Sequence, residues 1–382
     1  MERVAVTEAA VGTRFPLYAD PEDGRWTTTG RGSWTGGFWT GLLWLRARYT
    51  EDWADRRTAA AWTARLAPWA EADTATRGLI FWYGTAPAGS DGRAAALRER
   101  AARACLAAYD PELGLLPWGG ALGGPRLLAR ADGVPGTVPL LAGAGPRGAA
   151  AAAAHLHRHL DLCLGEDGRR GDGGRDRERD GGRDRERIGG SDRTRVGGRT
   201  GPPPARPHPA WSFDAATGWQ PCEDPAPGWS RGRAWLLLAV ADALLRPAVS
   251  GGAAARLDAA AGQLLAEAGV LGGRAVPLAD SSRPDGPLDT SAAAITAVAL
   301  LKLARVPGPR AAVCAARGEA VLRHLAGAHV TGRGPGRPAG MLLDGCYDAG
   351  KGLAVRHELV WGDFFLALGL AALVDGVDLT LV

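Results

Sequence analysis

Trp34-Thr35-Gly36-Gly37-Phe38-Trp39-Thr40-Gly41-Leu42-Leu43-Trp44-Leu45 is the stretch on which the fold turns. Phe38, Leu42, Leu45 and Tyr49 fall three or four residues apart, with Trp39 and Leu43 beside them. That spacing places them on one stripe of an α-helix. The pattern returns along the chain: Leu97, Ala101, Ala104, Cys105 and Ala108; Leu257, Ala261, Leu264 and Ala268; Ile295, Val298, Leu301 and Leu303. Helical periodicity gives about eleven such segments. Turn clusters separate them, such as Asp110-Pro111-Glu112-Leu113-Gly114 and Arg305-Val306-Pro307-Gly308-Pro309. Convincing alternating strands are absent, although Trp211–Trp219 could form a short hairpin. Many helices with short connections imply antiparallel helical hairpins around one core.

Residues 166–207 break the pattern. Gly173-Gly174-Arg175-Asp176-Arg177-Glu178-Arg179 recurs as Gly181–Arg187, and Pro202-Pro203-Pro204 follows. So few apolar side chains cannot offset the entropy of ordering the segment. The expectation is one all-α domain in two parts, 1–165 and 208–382, with a disordered low-complexity insertion at 166–207.

The chain has 382 residues, 46% of them hydrophobic, enough for a large core. Only Lys302 and Lys351 among its 45 basic residues are lysine. The formal charge is +4, and residues 166–201 supply about half of it with 11 Arg against 9 Asp and Glu. The remainder is nearly neutral, which argues against a nucleic-acid partner. Cys105, Cys163, Cys222, Cys314 and Cys346 are scattered and form no CxxC pair, so they read as reduced thiols. Met1-Glu2-Arg3-Val4 lacks a signal-peptide pattern. The longest apolar run, Ala234–Leu245, is interrupted by Asp242 and is too short to span a bilayer. A cytoplasmic protein without a membrane partner is the expectation.

Fourteen tryptophans stand beside six phenylalanines. Several have glycine neighbours: Trp34–Gly41, Leu116-Pro117-Trp118-Gly119 and Trp229-Ser230-Arg231-Gly232-Arg233-Ala234-Trp235. Tryptophan beside glycine offers an open flat face, on which the apolar face of a sugar ring stacks. Core packing is the rival reading for any one of them.

The same residues carry a resemblance to glycoside hydrolase family 88, the unsaturated glucuronyl hydrolases, and to the related unsaturated rhamnogalacturonyl hydrolases. Trp34–Leu45 is similar to the family's Trp-Thr-x-Gly-Phe-Trp-x-Gly-x-Leu-Trp-Leu motif. Trp118 resembles its aromatic after an Asn-Pro turn, and Phe213–Gly218 its Phe-Asp-Pro-x-Thr-Gly segment. Trp229–Trp235 resembles Trp-x-Arg-Gly-Gln-Ala-Trp, with Arg233 for glutamine. Asp289–Ile295 and Gly362-Asp363-Phe364-Phe365 match two further segments in order. The resemblance implies an (α/α)6 barrel, agreeing with the helix count. It also implies hydration of the C4–C5 double bond of an unsaturated uronic acid, followed by loss of the glycosidic bond.

That chemistry needs a carboxyl acid/base, a partner for the substrate carboxylate and aromatic platforms. It needs no metal or organic cofactor. The resemblance assigns Asp132 as the acid/base, in Asp132-Gly133-Val134-Pro135-Gly136-Thr137-Val138-Pro139-Leu140-Leu141. Arg231 is assigned to the carboxylate, Trp39, Trp118 and Trp235 to the platform, and His208 to substrate binding. The expected ligand is a small acidic oligosaccharide. The family's His-Asp-x-Gly-Phe stretch is Ala75-Thr76-Arg77-Gly78-Leu79 here, so its first aspartate is replaced, and Asp73 lies three residues before Thr76.

His155, His157 and His159 suggest a metal cluster, but on a helix His157 points away from the other two, and a helix surface is the expectation. No Gly-x-Ser-x-Gly elbow or P-loop is present. Lanthionine-cyclase-like toroids are also α/α, but no cysteine here neighbours a histidine to bind their zinc. Two rivals stay open: a saccharide-binding pseudoenzyme, and a structural α/α protein whose tryptophans are only core.

Overall fold

Burial separates two kinds of helix. Thr290–Leu303 is apolar on nearly every side and buried almost throughout. Pro146–Leu164 buries one stripe that includes Ala152, Leu156, Leu160 and Cys163, and leaves Arg147 and Ala150 exposed. A helix apolar all round belongs inside, and an amphipathic one outside. The structure is a computed structural model and describes residues 1–165, 208–267, 269–334 and 336–382. The low-complexity segment 166–207 lies outside the described residues.

Six inner segments form a closed ring. They are Gly36–Thr50, the π-turn Gly78–Trp82 running into Tyr83–Thr85, Thr137–Ala142, Ser230–Leu244, Thr290–Leu303 and Val360–Leu373. Each packs on the next, and the last returns to the first. The outer helices Glu2–Val11, Trp53–Ala64, Gly92–Ala108, Pro146–Leu164, Ala254–Glu267 and Ala311–Ala328 back them. The fold is an (α/α)6 barrel.

The glycines of the opening motif explain one seam of the ring. A Cβ on Gly37 would stand 2.3 Å from the Ile80 carbonyl oxygen, and one on Gly41 would stand 2.5 Å from that of Tyr83. Two inner segments therefore meet backbone to backbone, an approach only glycine permits. Phe38 fills the ring centre against Tyr83, Phe364, Phe365 and Trp235, at centroid distances of 5.5–6.2 Å. Tyr49, on the same stripe by spacing, is exposed in the last turn of its helix.

Two small antiparallel sheets decorate the barrel. In one, β1 (Phe15–Ala19) and β2 (Trp26–Thr29) join a second hairpin distant in sequence. In the other, β3 (Leu128–Arg130) lies against the hairpin of β4 (Ala210–Asp214) and β5 (Gly218–Pro221), which occupies the Trp211–Trp219 region. Asp214 caps that turn by accepting from the Ala216 and Thr217 N–H groups. β6 (Gly345–Asp348) and β7 (Leu353–Leu359) complete the first sheet, in the order β2-β1-β7-β6. Arg3 pairs with buried Glu358 beneath this sheet.

The apolar run Ala234–Leu245 falls in the inner helix Ser230–Leu244. Its Asp242 is buried and accepts from Lys302 at 2.6 Å and Arg246 at 3.2 Å. Among the described residues no single helix is long and apolar enough to cross a membrane.

Candidate active site

The inner helices begin at one end of the barrel, and a cavity of about 760 Å³ opens there. Trp34, Asp132, Trp229 and Arg231 line it, each at or beside the first turn of an inner segment or just ahead of it. Helix N-termini carry partial positive charge and favour an anionic ligand. Asp280 and Tyr347 add to the wall, and the exposed cations on the rim are paired with acids, Arg283 with Asp280 and Lys351 with Asp224 and Asp348.

Asp132 sits in the 3-10 turn Ala131–Gly133, between β3 and the inner helix Thr137–Ala142. Its side chain is 18% exposed and grips Arg130 with both oxygens, at 3.1 and 3.3 Å. The Arg130 guanidinium lies 4.9 Å over the Trp118 ring. Burial works against the Arg130 charge, but the Asp132 carboxylate outweighs it and holds the guanidinium above its ordinary range. Aromatic ring, cation and carboxylate thus form a stack whose acid reaches the cavity. Trp118 supports this stack and does not itself line the cavity.

The other residues named from the sequence fall in different surroundings. Trp39 is 1% exposed, packs edge-on against Trp62 at 5.9 Å and borders a separate, mostly apolar cavity of about 770 Å³. Its platform role is corrected: one turn into an inner helix, the ring points between helices and away from the mouth. Trp235 borders the active-site cavity but is also 1% exposed, stacked on Phe38 and edge-to-face with Phe365, so it is floor and not platform. The half-buried aromatic residues on the cavity are Trp34, Trp229 and Tyr347. His208 stands ahead of β4, donates from Nδ1 to the Cys222 carbonyl at 3.1 Å and lies outside the cavity lining.

Arg231 lies in the cavity wall and is tied to protein groups. Its Nη1 bonds Asp289 and the Cys346 carbonyl (2.6 Å), and its Nη2 bonds the Tyr347 carbonyl (2.7 Å). The side chain is 4% exposed and lies between the Trp229 and Trp361 rings. Asp289 meanwhile caps Thr290–Leu303 through the Ser291 and Ala292 N–H groups. Arg231 therefore welds two inner helices to β6 and forms the rear wall of the cavity.

Thr76, in the position of the family's first aspartate, is buried with its hydroxyl 2.9 Å from that of Thr74. Asp73 accepts from the Gly120 N–H at 3.0 Å and from Arg126 at 2.9 Å. Burial works to raise the Asp73 carboxyl, but these two partners outweigh it and hold it below the usual range.

The histidine run is not a surface feature. His155 and His159 are fully buried behind the Asp132 turn, while His157 is half-buried. Among the described residues no group of three or more His, Cys, Asp or Glu is arranged to hold a metal. Burial, with His159 beside it, pushes the His155 imidazole well below its ordinary value, and burial takes His159 from 6.5 to about 4. Both therefore stay neutral in the fold, whereas unfolded histidine takes up a proton near 6.5. Stability from His159 is complete above pH 6.5 and lost as the pH falls to about 4. That loss is about 3 kcal/mol. His159→Gln should accordingly gain about this much relative to the parent between neutral pH and pH 4 in urea unfolding. A pH-independent difference would exclude the effect.

No protein-family model matches the sequence, and no curated protein sequence matches it. Solved structures do match its architecture. Unsaturated glucuronyl hydrolase from Bacillus sp. GL1, responsible for degradation of glycosaminoglycan, aligns with a TM-score of 0.73 and 21% identity over 98% of this chain and 94% of that one. A UGL variant with dGlcA-Glc-Rha-Glc aligns with a TM-score of 0.76 and 22% identity over the same shares. The fold is that of the unsaturated glucuronyl hydrolases. A variant unsaturated glucuronyl hydrolase from Streptococcus agalactiae, complexed with dGlcA-GalNAc6S, aligns at 0.67 and 16% identity, over 97% of this chain and 88% of that one. At these identities the likeness to the glucuronyl hydrolases is one of fold.

Proposed function

We propose that the protein hydrolyses saccharides ending in an unsaturated uronic acid. The carrying observation is the Asp132 carboxylate, set on Arg130 over Trp118 at the mouth of the inner ring. Its setting in a fold shared along nearly the whole chain with such hydrolases supports the reading. In its acid form Asp132 protonates C4 of the double bond. The Asp132 carboxylate left behind takes a proton from the water that adds to C5, and the hemiketal formed rearranges with cleavage of the glycosidic bond. The helix N-termini favour the anionic sugar, and Trp34, Trp229 and Tyr347 offer it apolar faces. A small acidic oligosaccharide is the ligand class.

One observation favours a second reading. A threonine bonded to a threonine fills the place of the family's first aspartate. A pseudoenzyme that binds the same sugars without turnover is consistent with that loss. Incubation with a panel of unsaturated disaccharides, following the enol-ether ultraviolet absorbance, separates the two. Falling absorbance supports the hydrolase. Calorimetric binding with constant absorbance transfers the site to the second reading, and neither signal overturns both.

A further inference from the structure

The buried histidines belong neither to the cavity lining nor to a metal site, yet one of them touches both halves of the Asp132 stack. We propose that His155 is a positioning residue, a neutral imidazole that clamps the Trp118 segment to the Asp132 turn and so sets where Asp132 stands over the cavity. The inference rests on the hydrolase reading above.

The geometry fixes the role. The Leu116 N–H donates to His155 Nδ1 at 3.1 Å, and Leu116 lies two residues before Trp118. On the far edge of the ring, Nε2 meets the carbonyl of Gly133, next to Asp132, at 3.3 Å. A backbone donor on Nδ1 requires that nitrogen to be bare, so the proton is on Nε2 and points at an acceptor. Imidazole can accept on one edge and donate on the opposite one. A carboxamide does both from a single end, and an aliphatic side chain does neither. An imidazolium would turn an N–H toward the Leu116 N–H, and full burial keeps that form away. His159 steadies the ring: its Nδ1 donates to the His155 carbonyl at 2.8 Å, and the two rings meet edge to face at 4.4 Å. Neither His155 nor its partners Leu116 and Gly133 line the cavity. It acts through the backbone on either side of the Trp118–Arg130–Asp132 stack.

The test uses His155→Leu, which removes both bonds, and His155→Asn, which returns an oxygen to the Leu116 side. His155→Leu should lower kcat on an unsaturated disaccharide by about ten- to a hundredfold, the scale of a small misplacement of a catalytic group. KM should change far less, and His155→Asn should recover part of the loss. In an Asp132→Asn background His155→Leu should cost nothing further, because both changes act through one group. Equal losses with and without Asp132 would overturn the proposal. Nitrogen-15 shifts and amide exchange in the parent protein test the clamp without turnover, and without needing the variants to fold. They should show a proton on Nε2, a bare Nδ1 and a protected Leu116 amide. A proton on Nδ1, or a freely exchanging Leu116 amide, overturns the proposal even if the enzyme is active. Absence of turnover with the clamp intact overturns the hydrolase reading instead.

Discussion

Asp132→Asn is expected to lower turnover of an unsaturated disaccharide by a factor on the order of a hundred or more, the usual scale for losing a general acid/base. Carbon protonation needs a real acid, since water is too weak a donor near neutral pH. The cavity also holds Glu223, Asp224, Asp280 and Asp348, and Asp132 is set apart from them by its place in the stretch that the resemblance assigns to the acid/base. Asparagine keeps the shape of Asp132 and an oxygen for Arg130, so saccharide affinity should survive. Steady-state kinetics with calorimetry on the same variant reads both quantities. A variant that turns over as fast as the parent would remove Asp132 from the mechanism.

Arg231→Met should destabilise the fold by about 3–5 kcal/mol, the cost of stranding one partner of a buried ion pair. Asp289 would keep its charge at the head of an inner helix without a cation, and the Cys346 and Tyr347 carbonyls would lose their donor. The urea midpoint measures the loss. Asp289→Asn in the same chain should restore part of it, because the stranded charge is then gone. A variant as stable as the parent that fails only with acidic saccharides would instead return Arg231 to ligand binding.

These outcomes bear on what the sequence discloses. The barrel was legible because inner helices are apolar all round and outer ones striped, and periodicity registers both. The π-turn Gly78–Trp82 was harder to see, since a short apolar run such as Leu79-Ile80-Phe81 carries no period. The site was legible in its motifs but less so in its residues. Trp34 and Trp39 share one motif, yet Trp34 lies in the 3-10 turn before the helix and faces the mouth, while Trp39 lies within the first turns and faces its neighbours. Trp229 and Trp235 repeat the contrast on Ser230–Leu244. Position relative to the helix start decides which ring is half-exposed on the cavity, and spacing alone does not give that start. The structural ties of Arg231 were hidden because its partners, Asp289 and Cys346–Tyr347, lie 58 to 116 residues away. The histidine run was misread because helix geometry shows which histidines share a face but not whether that face is covered.

The pairing of Arg3 with Glu358 sets a schedule for the newborn chain. Its partners are 355 residues apart, and the β1–β7 pairing joins the same two regions. At ribosomal rates of about 5–20 residues per second, the first helix waits roughly 20 to 70 seconds for its counterpart to be made. In the finished ring Val360–Leu373 covers the apolar flank of Gly36–Thr50, so that flank lacks its cover until the later helix is made. A chain halted before that helix is made is expected to be prone to association, and one that carries it is not.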